Sequence, residues 1–202
     1  VHFSCPLLLS VNDVFHKIRN LKYRYMAEGT LFPEEVDQYD PYLIRESLNN
    51  AIAHQDYTRG GRVSLIEFED GRLVIKNEGR FIPVSIEAVV KQDAPEHRYR
   101  NKFLVDAMVN LNMIDTIGSG IKRMYNIQRK KFFPLPEYDL SDQKVKVTII
   151  GKVVDVNYAR KMAEMPNLTL DEIILLDKVA KQKTLSDDEI KSLKMKHLIE
   201  GR

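Results

Sequence analysis

Apolar residues along the chain switch repeatedly between helical spacing and strand-like alternation. Leu7–Leu9 is a short apolar run, after which Ser10 or Asn12 can cap a helix to about Leu21 with Val14, Phe15 and Ile18 as its stripe. Lys22–Met26 alternates basic and apolar residues and predicts a strand, and Gly29–Tyr39, with Pro33 inside it, predicts a loop. Asp40-Pro41 predicts a helix start, a capping carboxylate before a proline at the first helical position, and the helix runs to about His54. Val63–Phe68 and Leu73–Lys76 read as two strands joined at Asp70-Gly71, a two-residue hairpin signal. Ser85 can cap a short helix to Lys91. A helix over Arg100–Leu111 carries Phe103, Leu104, Ala107, Met108 and Leu111 on one face. A second helix follows Gly118-Ser119-Gly120 from Ile121 to about Lys130. Pro134 and Pro136 mark a linker, and Lys144–Ile150 alternates as a half-buried strand.

Past Gly151 the pattern becomes helical only. Asn157–Glu164, Leu170–Ala180 and Asp187–Lys194 predict three short helices around a small core of Leu168, Leu170, Ile173, Ile174, Leu176, Leu185, Ile190, Leu193, Leu198 and Ile199. Ser186 with Glu189 is a capping box. The expected division is therefore 1–151 and 152–202, one α/β domain and one small helical unit.

Composition narrows the classes. The chain has 202 residues, 44% of them hydrophobic and 30% charged, which suits one or two packed domains rather than a disordered tail. A net charge of +2 excludes a strongly electropositive nucleic-acid clamp. The lone cysteine, Cys5, excludes a disulfide framework and a cysteine zinc site. No apolar run approaches a membrane span, and the start lacks the features of a signal peptide, so a cytoplasmic setting is expected. The opening without Met and the abrupt end at Arg202 are expected of a piece of a longer polypeptide.

The most informative stretch is Arg45–Tyr57 (RESLNNAIAHQDY). At 100° per residue, Ile44, Leu48, Ala51 and Ile52 share one side. Glu46, Asn50 and His54 form a column roughly opposite. A solvated helix face accounts for such a column; so does the lining of a site, where a carboxylate can orient water and an amide oxygen can hold Mg²⁺. Asn77-Glu78-Gly79 at a strand end and Gly118-Ser119-Gly120 at a helix start add to the second account, since glycines there let backbone N–H groups approach an anion.

Other groups have two readings each. His54, Asp56 and Tyr57 serve structure, with Asp56 closing the helix end and Tyr57 packing, or His54 joins Asp56 or Glu46 at a metal. At the start of the next helix, Asn101 or Asn110 is a surface polar residue, or Arg100 pairs with a phosphate. Lys122, Arg123, Arg129, Lys130 and Lys131 are a solvated helix end or a phosphate-contacting patch.

With these residues in order, LIRESLNNAIAHQDY, IKNEGRF and YRNKFLVDAMVNLNMIDTIGSGIKRM resemble the RecG-related transcriptional regulators. Proteins of that family carry an AlbA-type domain, a domain similar to GHKL ATPases and a winged helix. The resemblance covers roughly 5–202, and its tail looks like the start of the winged helix, cut short. It implies a GHKL ATPase-like α/β sandwich over 1–151 and a winged-helix-like unit over 152–202. It implies Glu46 as the water-activating carboxylate, Asn50 as the Mg²⁺ ligand, and ATP held among Asn50, His54, Asn77, Gly79, Arg100, Gly118, Ser119 and Gly120. Asn77 stands near an aspartate that the ATPases place on adenine, and only Gly79 remains of the following glycine pair. No Gly-x₄-Gly-Lys-Ser/Thr occurs, so the sequence basis of a motor helicase is missing.

The expectation is a nucleotide-binding module of a bacterial DNA-binding regulator. ATP and Mg²⁺ are its cofactors. Its partners are DNA, through the C-terminal unit and a preceding region, and a second copy in a homodimer, with no membrane. A weak Mg-dependent ATPase, or a scaffold that has lost nucleotide binding, are the alternatives.

Overall fold

Proline opens the first helix. The structure, a computed structural model, describes residues 1–4, 6–25, 34–83, 85–91, 99–114 and 119–199. Pro6 sits at the N-cap of α1 (Leu7–Lys17), so the helix begins at the apolar run, earlier than Ser10 or Asn12, and ends before Leu21. Asn20 then turns the chain at φ 42°. Its side chain accepts from the Tyr39 N–H (2.7 Å) and donates to the Tyr39 carbonyl (2.9 Å).

β1 (Lys22–Tyr25) pairs antiparallel with β2 (Glu34–Asp37), which lies inside the stretch expected to be loop. Glu-Glu-Val-Asp has little strand propensity. The partner supplies the reason: Arg24 and Lys22 on β1 both reach Glu35 on β2 (2.7 and 3.6 Å).

α2 (Pro41–His54) has the expected bounds, with the Tyr42 N–H donating to Asp40 Oδ1 (2.9 Å). A 3₁₀ turn over Tyr57–Arg59 follows, then β3 (Ser64–Glu67) and β4 (Arg72–Glu78). Four residues, 68–71, separate them, and three of these, 69–71, form the turn rather than the expected two. Phe68 still pairs with Arg72 (2.8 Å), and Gly71 takes φ 85° to close a bulged turn. β5 (Glu137–Asp139) and β6 (Lys144–Ile150) complete a four-stranded antiparallel sheet ordered β3-β4-β6-β5. Leu73, Ile75 and Asn77 of β4 and Val147 and Ile149 of β6 are buried.

α3 (Ile86–Lys91) starts at Ser85, whose hydroxyl accepts from the Ala88 N–H (3.0 Å). α4 (Lys102–Asn110) buries Val105 and Met108. Phe103 and Leu111, placed on the apolar stripe by their spacing, are 89% and 61% exposed. The helix is turned so that Val105 and Met108 meet Val11 of α1 and Leu48, Ile52 and Ala53 of α2 in one cluster. α5 (Gly120–Lys130) begins at the second glycine of the Gly-Ser-Gly run.

The described residues divide into two compact units, 1–125 with 136–151, and 126–135 with 152–202. Residues 126–135, expected with the first domain, cluster with the second. Two side chains account for this: Asp177 accepts from the Leu135 N–H (2.7 Å), and Lys181 donates to the Leu135 carbonyl (2.7 Å). The second unit contains α6 (Val156–Glu164), α7 (Leu170–Ala180) and α8 (Asp187–Met195), near their expected bounds. Tyr158, Met162, Leu168, Ile173, Leu176, Leu193 and Leu198 are buried. Both α7 and α8 open with capping boxes, Thr169–Glu172 and Ser186–Glu189.

Glu172 ties α7 to α8. The Lys196 ammonium, and then the Thr169 N–H, hold its carboxyl down to about 2 from the ordinary 4.5. A depressed carboxyl stabilises fully above its unfolded value and loses that contribution as pH falls through the folded one. Thermal stability of the second unit should therefore drop as pH is lowered from about 5 towards 2. Glu172→Gln should flatten that slope, as melting followed by circular dichroism will read; an unchanged slope would remove the carboxylate from this role.

Candidate functional site

α2 has almost no solvated face. Leu43, Ile44, Leu48, Ala51, Ile52 and Ala53 are buried, and so are the polar Glu46, Ser47 and Asn49. The expected polar column is therefore not a surface stripe. Glu46 is only 9% exposed, while Asn50 and His54 are half-buried. Ser47 donates to Met124 Sδ of α5 at 3.8 Å, so this side of α2 is covered by the start of α5.

Glu46, Asn50 and Gly120 come together. Asn50 Nδ2 donates to Glu46 Oε1 at 3.0 Å. The same carboxylate rests on Gly120, where a Cβ would overlap Oε1 and Cδ of Glu46. Glycine at this position thus permits the carboxylate to reach the first turn of α5. The Arg123 N–H donates to the Ser119 carbonyl at 2.9 Å, so the helix is entered from Ser119, and its N-terminal dipole favours an anion at this end. Gly118 lies outside the described residues. Arg123 also covers the Tyr42 ring at 4.0 Å, with Arg45 over the same ring at 5.6 Å. One member of the basic run is thus packed on an aromatic face.

A second grouping forms around Gly79, whose φ of 109° suits glycine. A Cβ there would lie 3.1 Å from Arg100 Cζ and from Asp56 Cβ. Arg100 Nη1 donates to Asp56 Oδ2 (3.2 Å) and Nη2 to the Arg80 carbonyl (3.0 Å). The Asp56 carboxyl is held below the usual carboxylate range, first by the Thr58 hydroxyl and N–H and then by Arg100 and Arg59. Arg100 is thus latched to its own chain rather than extended towards Glu46. Asn77 is buried on the sheet, its Nδ2 donating to the Glu78 carbonyl at 3.1 Å. His54 stacks on Tyr99 at 6.0 Å, two helical turns from Glu46. Among the described residues, no three His, Cys, Asp or Glu side chains gather as a metal site, so the His54 metal reading finds no cluster.

Three residues carry roles that periodicity did not indicate. Asn101, read as a surface residue, donates to the carbonyls of Ala53 (2.9 Å) and Gln55 (2.8 Å) and so caps the end of α2. Gln55 donates to the Gly61 carbonyl (3.1 Å) and accepts from the Glu78 N–H (2.8 Å). Asn49 donates to the Met113 carbonyl (2.7 Å). Tyr57, read as packing, is 45% exposed and is held instead by its hydroxyl, which donates to the Ile52 carbonyl (3.0 Å).

An antiparallel sheet packed with helices, one of which brings a buried Glu and its Asn against a glycine helix start, makes this a mixed α/β domain. Residues 60–149, just under half of the chain, match the family model described as "Putative ATP-dependent DNA helicase recG C-terminal". That match includes Asn77, Gly79, Arg100 and Gly118 to Gly120; Glu46 and Asn50 precede it. No curated protein is significantly similar in sequence. The fold is similar to that of the DIP2311 protein from Corynebacterium diphtheriae, with TM-score 0.61 and 17% identity over 92% of this chain. The chain spans 41% of the length of that protein. Among the described residues, no helix is long and apolar enough to cross a membrane.

Proposed function

We propose that this chain is the nucleotide-binding module of a RecG-related, DNA-binding transcriptional regulator. The observation that carries the reading is the Glu46–Asn50 pair, joined at 3.0 Å and seated on the glycine that opens α5. This donor set fits ATP with Mg²⁺: a carboxylate and an amide oxygen are hard ligands, and a glycine helix start accepts phosphate. Bound Mg²⁺ would supply charge neutralisation for the phosphates. Asn50 would hold the ion through its amide oxygen while its N–H₂ keeps Glu46 in place. Glu46 would orient water, and the backbone at Ser119 and Gly120 would face the phosphates. Asn77 would contact the base as a neutral amide. The second unit would contact DNA, alone or as part of a homodimer.

Titration with a non-hydrolysable ATP analogue tests this. The parent should release heat in Mg²⁺, and Asn50→Ala should weaken binding by about tenfold or more in Mg²⁺ and little in EDTA, the loss of one charge-assisted contact. If the chain also hydrolyses ATP, Glu46→Ala should abolish phosphate release and spare binding. The latch of Arg100 onto Asp56 and Arg80 favours a second reading, a scaffold without nucleotide. Absence of both heat and thermal shift in the parent would leave that reading alone.

A further inference from the structure

A second hollow lies away from Glu46. A cavity of about 650 Å³ lies between α1, the opposite side of α2 and β3. Its walls are Val11, Val14 and Ile18 of α1, Leu48 and Ile52 of α2, and Leu65 of β3. The volume falls in the range of small-molecule sites, roughly 300–1,000 Å³, and the apolar lining is of the usual kind.

Its charged rim is what makes the hollow specific. Lys17, at the end of α1, and Arg62, ahead of β3, both line it. Among the described residues neither has a hydrogen-bond or ion-pair partner. The acidic residue on the rim, Glu67, is already committed: its carboxylate accepts from the Arg19 N–H (3.0 Å), Arg19 Nε (3.2 Å) and the Asn20 N–H (3.2 Å). Gln55, also on the wall, is spent on Gly61 and Glu78. The cavity therefore presents an apolar body and two uncompensated cations.

From this geometry we infer a binding site for a small amphiphilic anion, an aliphatic chain ending in a carboxylate. The chain would displace water from the half-buried Val14, Val63 and Leu65, and the head would meet Lys17 and Arg62. Burial of apolar surface would drive binding, and the two cations would select the charged head over a neutral one.

Dodecanoate is the probe, with methyl dodecanoate as its neutral counterpart, both titrated below their aggregation limit by calorimetry on the whole chain. Dodecanoate should bind, and the ester should bind more weakly. Lys17→Gln and Arg62→Gln should each weaken dodecanoate by about tenfold, the scale of one charge-assisted hydrogen bond, and leave the ester unchanged. Both side chains are exposed, so neither substitution threatens folding. Val14→Trp, at a half-buried wall position, should fill the hollow and abolish binding of both probes. The inference fails if the parent does not bind dodecanoate, if both charge variants bind it like the parent, or if Val14→Trp leaves binding intact. Failure of ATP binding would not touch it, because Glu46, Asn50 and Gly120 do not line this cavity.

Discussion

Asp177→Ala should destabilise the second unit by about 3–5 kcal/mol, the usual cost of stranding the partner of a buried ion pair. Asp177 on α7 and Lys181 at its C-cap lie one helical turn apart, 2.6 Å from one another, and each side chain is only 9% exposed. They do more than neutralise each other. Between them they satisfy both backbone groups of Leu135, the N–H through Asp177 and the carbonyl through Lys181. Alanine leaves an ammonium without its carboxylate and an amide without its acceptor. In a unit this small each kcal/mol moves the melting temperature by about 4–8 °C, so its transition should fall far below that of the parent or vanish. Pairing Asp177→Leu with Lys181→Met should recover part of the loss, because the stranded charge is gone. Recovery stays incomplete, because Leu135 keeps two unmet polar groups. A melting curve for Asp177→Ala that overlays the parent would refute the role assigned to the pair.

Gln55→Met should cost the first unit roughly 1–3 kcal/mol, two part-buried backbone groups each losing their hydrogen-bond partner. Gln55 is 1% exposed. It stands where α2 ends, and its amide spans from the Gly61 carbonyl to the Glu78 N–H. The neighbouring Asp56 N–H donates to the Glu78 carbonyl at 2.8 Å. These bonds fasten the end of α2 to the end of β4. Methionine keeps the volume and removes the hydrogen bonds, so packing loss is not the cause of the effect. Guanidinium unfolding should show the lower stability, and hydrogen exchange at the Glu78 amide should accelerate. Unchanged exchange at that amide would show that Gln55 does not hold it.

The candidate site was partly readable from spacing. A four-residue step placed Glu46 and Asn50 on one side of α2, because helix geometry is local. Whether that side met water or protein was not local. It depended on the start of α5, some seventy residues on, and on Gly120 having no Cβ to hold the carboxylate off. Arg100 shows the reverse. Its position beside a strand-end glycine was consistent with a phosphate contact, yet Asp56 and the Arg80 carbonyl engage its two terminal nitrogens, Nη1 and Nη2. Phe103 was misplaced for a related reason: helical spacing defines candidate faces, and packing against α1 and α2 chose the face with Val105 and Met108.

By itself the sequence determined those features whose energetics lie within a few residues. The bounds of α2, set by Asp40 and Pro41, belong here. So do the Ser85 and Ser186 caps and the alternation of β4 and β6. Tertiary structure alone decided what depends on distant partners. β2 is a strand because β1 pairs with it. Residues 126–135 join the second unit because Asp177 and Lys181 hold Leu135. The Glu46 carboxylate is buried because a glycine far along the chain lets a helix close over it. Caps and periods are local interactions, whereas burial and polar pairing are set by whichever residues the fold brings alongside.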